Sequence, residues 1–190
     1  MFEKLEEIDR NLLLSLNSHH NDFFDLIMPY LTSIAFWIPL YLFFIYMVYK
    51  KVGKKVWLVL AAVAILIVFC DQTSNLVKNS VERYRPSHNL EIKDKLHIVD
   101  GYRGGQYGFF SGHAANTFGI ATFLLLFFRD KKWGFKLLII SWAIIMTYSR
   151  IYLGVHYPSD IICGATVGIL LAIGVYYLYN RVVRIAPPQY

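Results

Sequence analysis

The chain has 190 residues, of which 56% are hydrophobic and 17% aromatic, and it carries a formal net charge of +6 at pH 7. Its mean hydropathy of +0.43 lies on the apolar side of an ordinary soluble domain, and its length leaves room for several membrane spans but no sizeable soluble domain. Long apolar runs separate the basic residues, which argues against a nucleic-acid-binding face. We therefore predict a single membrane-embedded domain, residues 1–190.

The first predicted element is a helix near the N-terminus. Leu5, Ile8, Leu12 and Leu16 recur at helical spacing, with charged residues between them. This pattern predicts an interfacial helix within residues 1–22 that lies along the bilayer surface. A helix packed on the rest of the bundle would have the same pattern, so both placements stay open.

Long apolar runs then predict about five transmembrane helices. These runs lie at residues 31–49, 56–77, 112–128, 135–153 and 159–179. Because Pro29 and Pro39 lie around the first run, residues 23–49 form either one kinked span or an interfacial helix followed by a span. The last run carries a ridge of small residues that predicts close helix packing, namely Gly164, Gly168 and Ala172. The predicted fold class is an all-α integral membrane helical bundle.

The distribution of lysine and arginine predicts the orientation of this bundle, because short basic loops stay on the cytoplasmic side. Three basic clusters fall on one side of a five-span topology: Lys50, Lys51, Lys54 and Lys55; Arg129, Lys131, Lys132 and Lys136; and Arg181 with Arg184. The 78–111 connection then faces the opposite, extracytoplasmic side. That connection is itself basic, against the usual bias, and an anionic substrate would explain its charge.

Groups of polar residues recur at this same predicted end of successive spans. A migrating phosphoryl group spreads negative charge over three oxygens, so a protein that uses no metal must surround it with fixed positive donors. Lys78, Arg85 and Arg150 are suitable donors. Ser111 and Gly112 come where a helix is predicted to begin, and a helix N-terminus binds anions. The pattern indicates phosphoryl-transfer chemistry.

Two histidines supply the reacting groups that such chemistry requires. His156 and Asp160 are four residues apart, so the carboxylate can hold one imidazole nitrogen while the other faces phosphorus. His113 opens the third span on the same surface and could protonate the departing oxygen, then activate water. His88 and His97, in the 78–111 connection, could contact a substrate headgroup, but we expect them to be solvated loop residues.

Taken together, these residues resemble the tripartite signature of the type-2 phosphatidic acid phosphatase superfamily over residues 78–160. The matching motifs are Lys78 with six residues to Arg85-Pro86, then Ser111-Gly112-His113, then Ser149-Arg150 with five residues to His156 and three more to Asp160. Phe110 departs from the family, which usually has proline there. The resemblance implies a helical bundle, metal-free catalysis, and phosphate binding by Lys78, Arg85, Ser111, Gly112 and Arg150. It also implies acid catalysis by His113, nucleophilic attack by His156 and orientation by Asp160.

The function that the resemblance implies is an integral membrane phosphatase that hydrolyses a lipid-linked phosphate or diphosphate through a phosphohistidine, with no metal or cofactor. The segment from Asp100 to Ser111 resembles that of bacterial members thought to act on lipid A or on undecaprenyl diphosphate, so the resemblance favours one of these substrates. Phosphatidylglycerophosphate, phosphatidate and a lipid phosphotransferase reaction stay open. The implied location is the bacterial inner membrane, multi-pass, with the active site facing the periplasm or exterior.

Two functions of other classes use some of the same residues. A membrane anion transporter would need the cations but not the pair of His156 and Asp160. A zinc hydrolase could use His113, His156 and Asp160, but the chain has no H-E-x-x-H motif or comparable ligand set. The partners expected are a lipid phosphate and the bilayer, and the oligomeric state is left open.

Overall fold

The computed structural model describes residues 2–185 and the side chains of residues 3–183. Within that range the chain forms an all-α bundle with these helices: α1 (Phe2–Asn17), α2 (Asp22–Leu31), α3 (Ile38–Val52), α4 (Val56–Val81), α5 (Gly112–Phe127), α6 (Trp133–Tyr152) and α7 (Pro158–Ile185). Short 3-10 turns precede α3 and α4, and others lie in the connection from α4 to α5. The side chain of Arg184, from the third basic cluster, lies outside the described residues.

Helices α3 to α7 correspond to the five predicted spans, and the predicted all-α membrane bundle is confirmed. Three helical stretches are long and apolar enough to cross a membrane: Ile34–Val81, Trp133–Tyr152 and Pro158–Val183. The first of these contains both α3 and α4, which are separated at Gly53, where φ is 58° and the backbone favours glycine. Helix α5 is shorter, about 24 Å at 1.5 Å per residue, against about 30 Å of hydrocarbon.

Residues 23–49 form two separate helices instead of one kinked span. Helix α2 ends at Leu31 and α3 begins at Ile38, with a 3-10 turn at Ile34–Trp37 between them. Pro39 lies in the first turn of α3, where its missing N–H costs no hydrogen bond. The alternative of a short helix followed by a span is therefore the one that the structure adopts.

Helix α1 packs on the bundle through one face. Leu13 is fully buried against a cluster that includes Ile92, Ile151 and Tyr157. The side-chain amide of Asn17, one turn on, donates to the carbonyl of Tyr152 at 2.7 Å. The apolar side chains that open the helix remain exposed, namely Leu5, Ile8 and Leu12. The packed placement is present, and contact of the exposed face with a bilayer stays a prediction.

Helices α5 and α7 approach each other so closely that only glycine fits between them. A Cβ on Gly164 would lie 2.4 Å from the carbonyl oxygen of Ser111, and a Cβ on Gly168 would lie 2.1 Å from that of Ala115. The predicted packing role of the small-residue ridge is therefore confirmed. Because the backbone N–H of Ser111 also donates to the carbonyl of Asp160 at 3.0 Å, the first turns of the two helices lie side by side.

Candidate active site

The first turn of α5 forms one wall of the site. Ser111 is the N-cap of this helix, and its hydroxyl accepts a hydrogen bond from the N–H of Ala114 at 3.3 Å. A Cβ on Gly112 would lie 3.1 Å from the hydroxyl oxygen of Ser74 and 3.7 Å from the Nζ atom of Lys78. Glycine therefore lets α4 pack closely at Ser74, and Lys78 of the same helix lies beside the N-terminus of α5, where backbone N–H groups favour an anion.

The second wall carries His156 between two partners of opposite charge. Its Nε2 lies 2.9 Å from the Nη1 atom of Arg85, and its Nδ1 lies 3.4 Å from the Oδ2 atom of Asp160. An arginine only donates hydrogen bonds, so Nε2 must be the unprotonated nitrogen and Nδ1 carries the hydrogen that faces Asp160. His156 thus has the tautomer in which Nε2 is unprotonated and its lone pair accepts a hydrogen bond from Arg85.

The two arginines of the site are held by different parts of the fold. Arg85 donates from Nε to the carbonyl of Tyr107 and from Nη1 to that of Val155, each at 3.2 Å. Arg150 comes from α6 and is 2% exposed. Its Nη1 donates to the Thr32 hydroxyl at 2.7 Å. Its Nη2 donates at 3.3 Å to the hydroxyl of Tyr102, which belongs to the 78–111 connection. Within the described residues, its buried Nε has no partner.

Burial and positive charge together determine the protonation state of His156. Burial, followed by the charges of Arg85, Arg150 and Lys78, lowers the pKa of His156 well below its ordinary value of 6.5. Burial and the charge of Arg150 likewise lower the pKa of Arg85, although an arginine remains cationic at neutral pH. The site therefore combines a neutral imidazole with a cluster of cations, an arrangement that favours an anionic ligand.

His113 connects the cationic cluster to an apolar groove. It lies within electrostatic range of Lys78, Arg85 and Arg150. It also lines a groove of about 370 Å³ whose walls are mainly aliphatic and aromatic side chains of α3 to α6. Asp71 lines the same groove and accepts a hydrogen bond from the Asn116 amide at 2.7 Å. The ion pairs of the described residues do not include one between Asp71 and Lys78, so the lysine is not neutralised in that way.

The structure thus brings all of the predicted site residues to one end of the bundle, namely Lys78, Arg85, Ser111, Gly112, His113, Arg150, His156 and Asp160. Sequence reasoning missed the partners that hold Arg150, Thr32 and Tyr102, because neither belongs to a motif. It also missed Arg83, which donates to the Oδ1 atom of Asp160 at 2.8 Å. The available signal for Arg83 was its basic side chain in the short stretch between Lys78 and Arg85.

A second group of potential metal ligands lies away from this site. Ligand atoms of His20, Asp25 and His97 lie within 4.8 Å of one another. The two imidazole rings are stacked, 3.6 Å apart and 3° from parallel, so their in-plane lone pairs do not converge on one ion. The Nε2 atom of His97 instead pairs with the carboxylate of Asp25 at 2.8 Å, and the expectation that His97 is solvated is wrong. This group is a hydrogen-bonded cluster that ties the 78–111 connection to α2.

Comparisons with known proteins agree with the geometry. The chain is 43% identical over 171 residues to a lipid A 4'-phosphatase of Bacteroides thetaiotaomicron, covering 88% of this chain and 75% of the relative. It is 37% identical over 187 residues to a lipid A 4'-phosphatase of Porphyromonas gingivalis, covering 94% and 77%. Among solved structures, a PAP2 type phosphatidylglycerolphosphate phosphatase from Bacillus subtilis superposes with a TM-score of 0.70 at 18% identity, over 96% of this chain and 90% of that one. Because residues 55–184 also match the PAP2 superfamily, the chain belongs to that family and is a membrane lipid phosphatase of the PAP2 type.

Proposed function

We propose that this enzyme removes a phosphate from a phosphorylated glycolipid of the lipid A class, through a covalent phosphohistidine on His156 and without a metal. The observation that carries the proposal is the neutral, buried imidazole of His156, whose Nε2 faces the cationic cluster while Nδ1 faces Asp160. Nucleophilic catalysis needs this combination of an unprotonated nitrogen and an orienting group on the opposite nitrogen. A divalent cation at Nε2 would face the guanidinium of Arg85, which disfavours zinc chemistry at this position.

In the first step, Nε2 of His156 attacks phosphorus and the bond from phosphorus to the lipid oxygen breaks. Lys78, Arg85 and Arg150 stabilise the charge on the phosphoryl oxygens, and the backbone N–H groups at the start of α5 contribute further donors. Arg85 now contacts Nε2 itself, so it moves from that nitrogen to the phosphate when substrate binds. The hydrogen on Nδ1 remains with the imidazole, which Asp160 stabilises as positive charge develops.

His113 completes both halves of the reaction. It starts as an imidazolium beside the bound phosphate anion and gives its proton to the departing lipid oxygen. In the second step the now neutral imidazole takes a proton from the water that attacks phosphorus. The bond from phosphorus to Nε2 then breaks, inorganic phosphate leaves, and both histidines return to their starting states. The position of His113, beside the cations and at the groove, supports its role at the junction of phosphate and lipid.

The apolar groove supports a lipid as the leaving group. Its walls include Tyr41 and Phe44 of α3, Val63 of α4, Ile120 of α5 and Trp142 of α6. Helices α3, α4 and α6 belong to stretches that are long and apolar enough to cross a membrane, so an acyl chain in the groove stays at membrane depth while its phosphate reaches the cations. Two phosphatases of lipid A that are 43% and 37% identical to this chain support the headgroup class. Undecaprenyl diphosphate and the glycerophospholipid phosphates are the competing substrates.

The proposed location is the bacterial inner membrane, with the active site on the extracytoplasmic side. Three basic clusters lie at the ends of spans opposite to the site, and short basic loops remain in the cytoplasm. Lipid phosphates that have crossed to the outer leaflet are then within reach of the groove without recrossing the membrane.

The test is phosphate release by the purified protein, in detergent with EDTA, from lipid A phosphate, undecaprenyl diphosphate, phosphatidylglycerophosphate and phosphatidate. We expect the highest kcat/KM with lipid A phosphate, and no loss of activity in the chelator. With radiolabelled substrate, label should remain on denatured wild-type protein and be absent from His156→Ala. Activity that requires added zinc or magnesium, or label retained by His156→Ala, would contradict the mechanism. A preference for another lipid would correct the substrate alone.

A further inference from the structure

Asp160 uses its two carboxylate oxygens for different partners. The Oδ2 atom faces Nδ1 of His156 at 3.4 Å and accepts the backbone N–H of Tyr157 at 3.0 Å. The Oδ1 atom accepts a hydrogen bond from the Nη1 atom of Arg83 at 2.8 Å. Rotation of a carboxylate about its last bond is broad and weakly restricted. The contact of Oδ1 with Arg83 and that of Oδ2 with the Tyr157 N–H therefore fix the carboxylate together, with its second oxygen toward His156.

Arg83 is itself held by a carboxylate from the N-terminal helix. Its Nη2 atom lies 2.8 Å from the Oδ2 atom of Asp9, and its guanidinium carbon lies 4.0 Å from the ring centroid of Tyr157. Two carboxylates thus occupy the two ends of one planar guanidinium, a geometry that lysine does not reproduce. Arg83 is half-buried, so these ion pairs are partly shielded from water.

Asp9 also fixes the first turn of α7, which carries Asp160. Its carboxylate accepts the backbone N–H of Ser159 at 2.9 Å and the Ser159 hydroxyl at 2.5 Å. Asp9 is 8% exposed and lies in α1, well before the matched family region of residues 55–184. A negative charge at the N-terminus of a helix is stabilising, which adds to these hydrogen bonds. Helix α1 therefore contacts the reacting histidine through a chain of two residues.

The surroundings of Arg83 favour a role through its protein partners over direct contact with the substrate. Its nitrogen atoms bind Asp9, Ser159 and Asp160. The space beside it is a polar pocket on the α1 side of the bundle, lined also by Glu6, Arg10 and Glu82. The groove that contains His113 does not include Arg83.

We infer that Arg83 and Asp9 are positioning residues for catalysis: Asp9 holds Arg83, Arg83 holds Asp160, and Asp160 in turn orients His156 for attack. This inference rests on the proposed function, because it requires His156 to be the nucleophile. It predicts that changes at residues that never touch the phosphate lower the rate of the chemical step and leave substrate binding nearly unchanged.

The experiment measures kcat and KM for Arg83→Met, Arg83→Lys and Asp9→Asn, with lipid A phosphate as substrate. Outer partners of catalytic histidines at metal sites contribute about 10- to 100-fold, and we expect Arg83→Met to lower kcat by about this factor at nearly constant KM. Arg83→Lys keeps the charge but loses the fork, so it should recover part of the loss. Asp9→Asn keeps the shape and should show a smaller loss than Arg83→Met.

A double-mutant cycle separates positioning from general stabilisation. In an Asp160→Asn background, Arg83→Met should cost little further activity, because the group through which it acts is already disabled. The matched control is Arg10→Met, which removes the exposed ion pair of Arg10 with Glu91 between the same two segments and should leave kcat unchanged. Thermal melts in detergent establish that each variant is folded at the assay temperature. If Arg83→Met is unfolded, the cycle is run with Asp9→Asn.

Three results would overturn the inference: a full additional loss for Arg83→Met in the Asp160→Asn background, a rise in KM in place of a fall in kcat, or an equal loss in Arg10→Met. Failure of the proposed function has different signatures: no phosphate release by the wild-type protein from any lipid phosphate, a requirement for added metal, or label retained by His156→Ala. Where no lipid phosphate is hydrolysed, the same cycle is measured with nitrophenyl phosphate, which requires no lipid groove.

Discussion

The contact between α5 and α7 provides a sharp test of how the bundle supports catalysis. Gly168 lies in α7, where an added Cβ would be 2.1 Å from the carbonyl oxygen of Ala115 and 2.8 Å from its carbonyl carbon. Those atoms belong to the backbone and cannot rotate away as a side chain would. Gly168→Ala must therefore push the two helices apart one turn from Ser111, where α5 begins.

The magnitude follows from these distances. Reaching an ordinary carbon-to-oxygen separation of about 3.3 Å requires a movement of about 1 Å. Overpacking costs about 1–3 kcal/mol, and replacing a helix-interior glycine regains about 0.5–1 kcal/mol. Because the contact is with backbone, we take the upper end of the overpacking cost. The free energy of unfolding then falls by about 2 kcal/mol net, which lowers Tm by about 4–8 °C for a chain of this size. Because His113 and His156 lie on opposite sides of this contact, a 1 Å displacement should also lower kcat by about 100-fold.

The assay compares thermal melts and phosphate release for Gly168→Ala and Gly174→Ala in the same detergent. Gly174 lies in the same helix, and a Cβ there would meet nothing within 4 Å. That variant should melt at or slightly above the wild-type temperature, because alanine favours the helix more than glycine does. Wild-type Tm and kcat in Gly168→Ala, or equal losses in both variants, would refute the argument from close packing.

Three further predictions concern the histidines and the topology. His113→Ala should lose about 10²–10⁴-fold in kcat on a lipid phosphate and regain part of that loss on nitrophenyl phosphate, whose leaving group needs no proton. His156→Ala should be inactive on both substrates, and a regain of activity in His156→Ala instead would reverse the two roles. Burial lowers the pKa of His156 below 6.5, so below pH 6.5 the unfolded chain binds a proton that the folded chain does not. The contribution of His156 to the free energy of unfolding is therefore complete above pH 6.5 and decreases as the pH falls below it. His156→Gln should flatten this fall by up to about 1.4 kcal/mol per pH unit in melts at several pH values, and an unchanged slope would contradict the assigned shift. In a chain without its native cysteines, Leu90→Cys, at a position 79% exposed, should react with an impermeant thiol reagent in cells whose outer barrier is opened, while Lys54→Cys is protected; the opposite pattern would invert the topology.

Much of the fold and the site could be predicted from local features of the chain. Apolar runs bounded by charge mark α3 to α7, because hydrocarbon thickness sets the length of a span. His156 and Asp160 are four residues apart at the start of a helix, which brings their side chains together whatever surrounds them. Ser111 precedes an apolar helix, so its position at the N-terminus of α5 follows from sequence alone. Gly164 and Gly168 indicate a close contact but not its partner.

The identity of partners that are distant in sequence was decided only by the tertiary structure. Asp9 meets Arg83, 74 residues away, and Ser159, 150 residues away, and these contacts make α1 part of the site. His97 meets Asp25, 72 residues away, instead of solvent. Hydrophobic periodicity reports which face of a helix is buried, but it contains no information on which other element covers that face. Such partners depend on how helices pack in three dimensions, since a polar side chain can be buried only where packing supplies its hydrogen-bond partner.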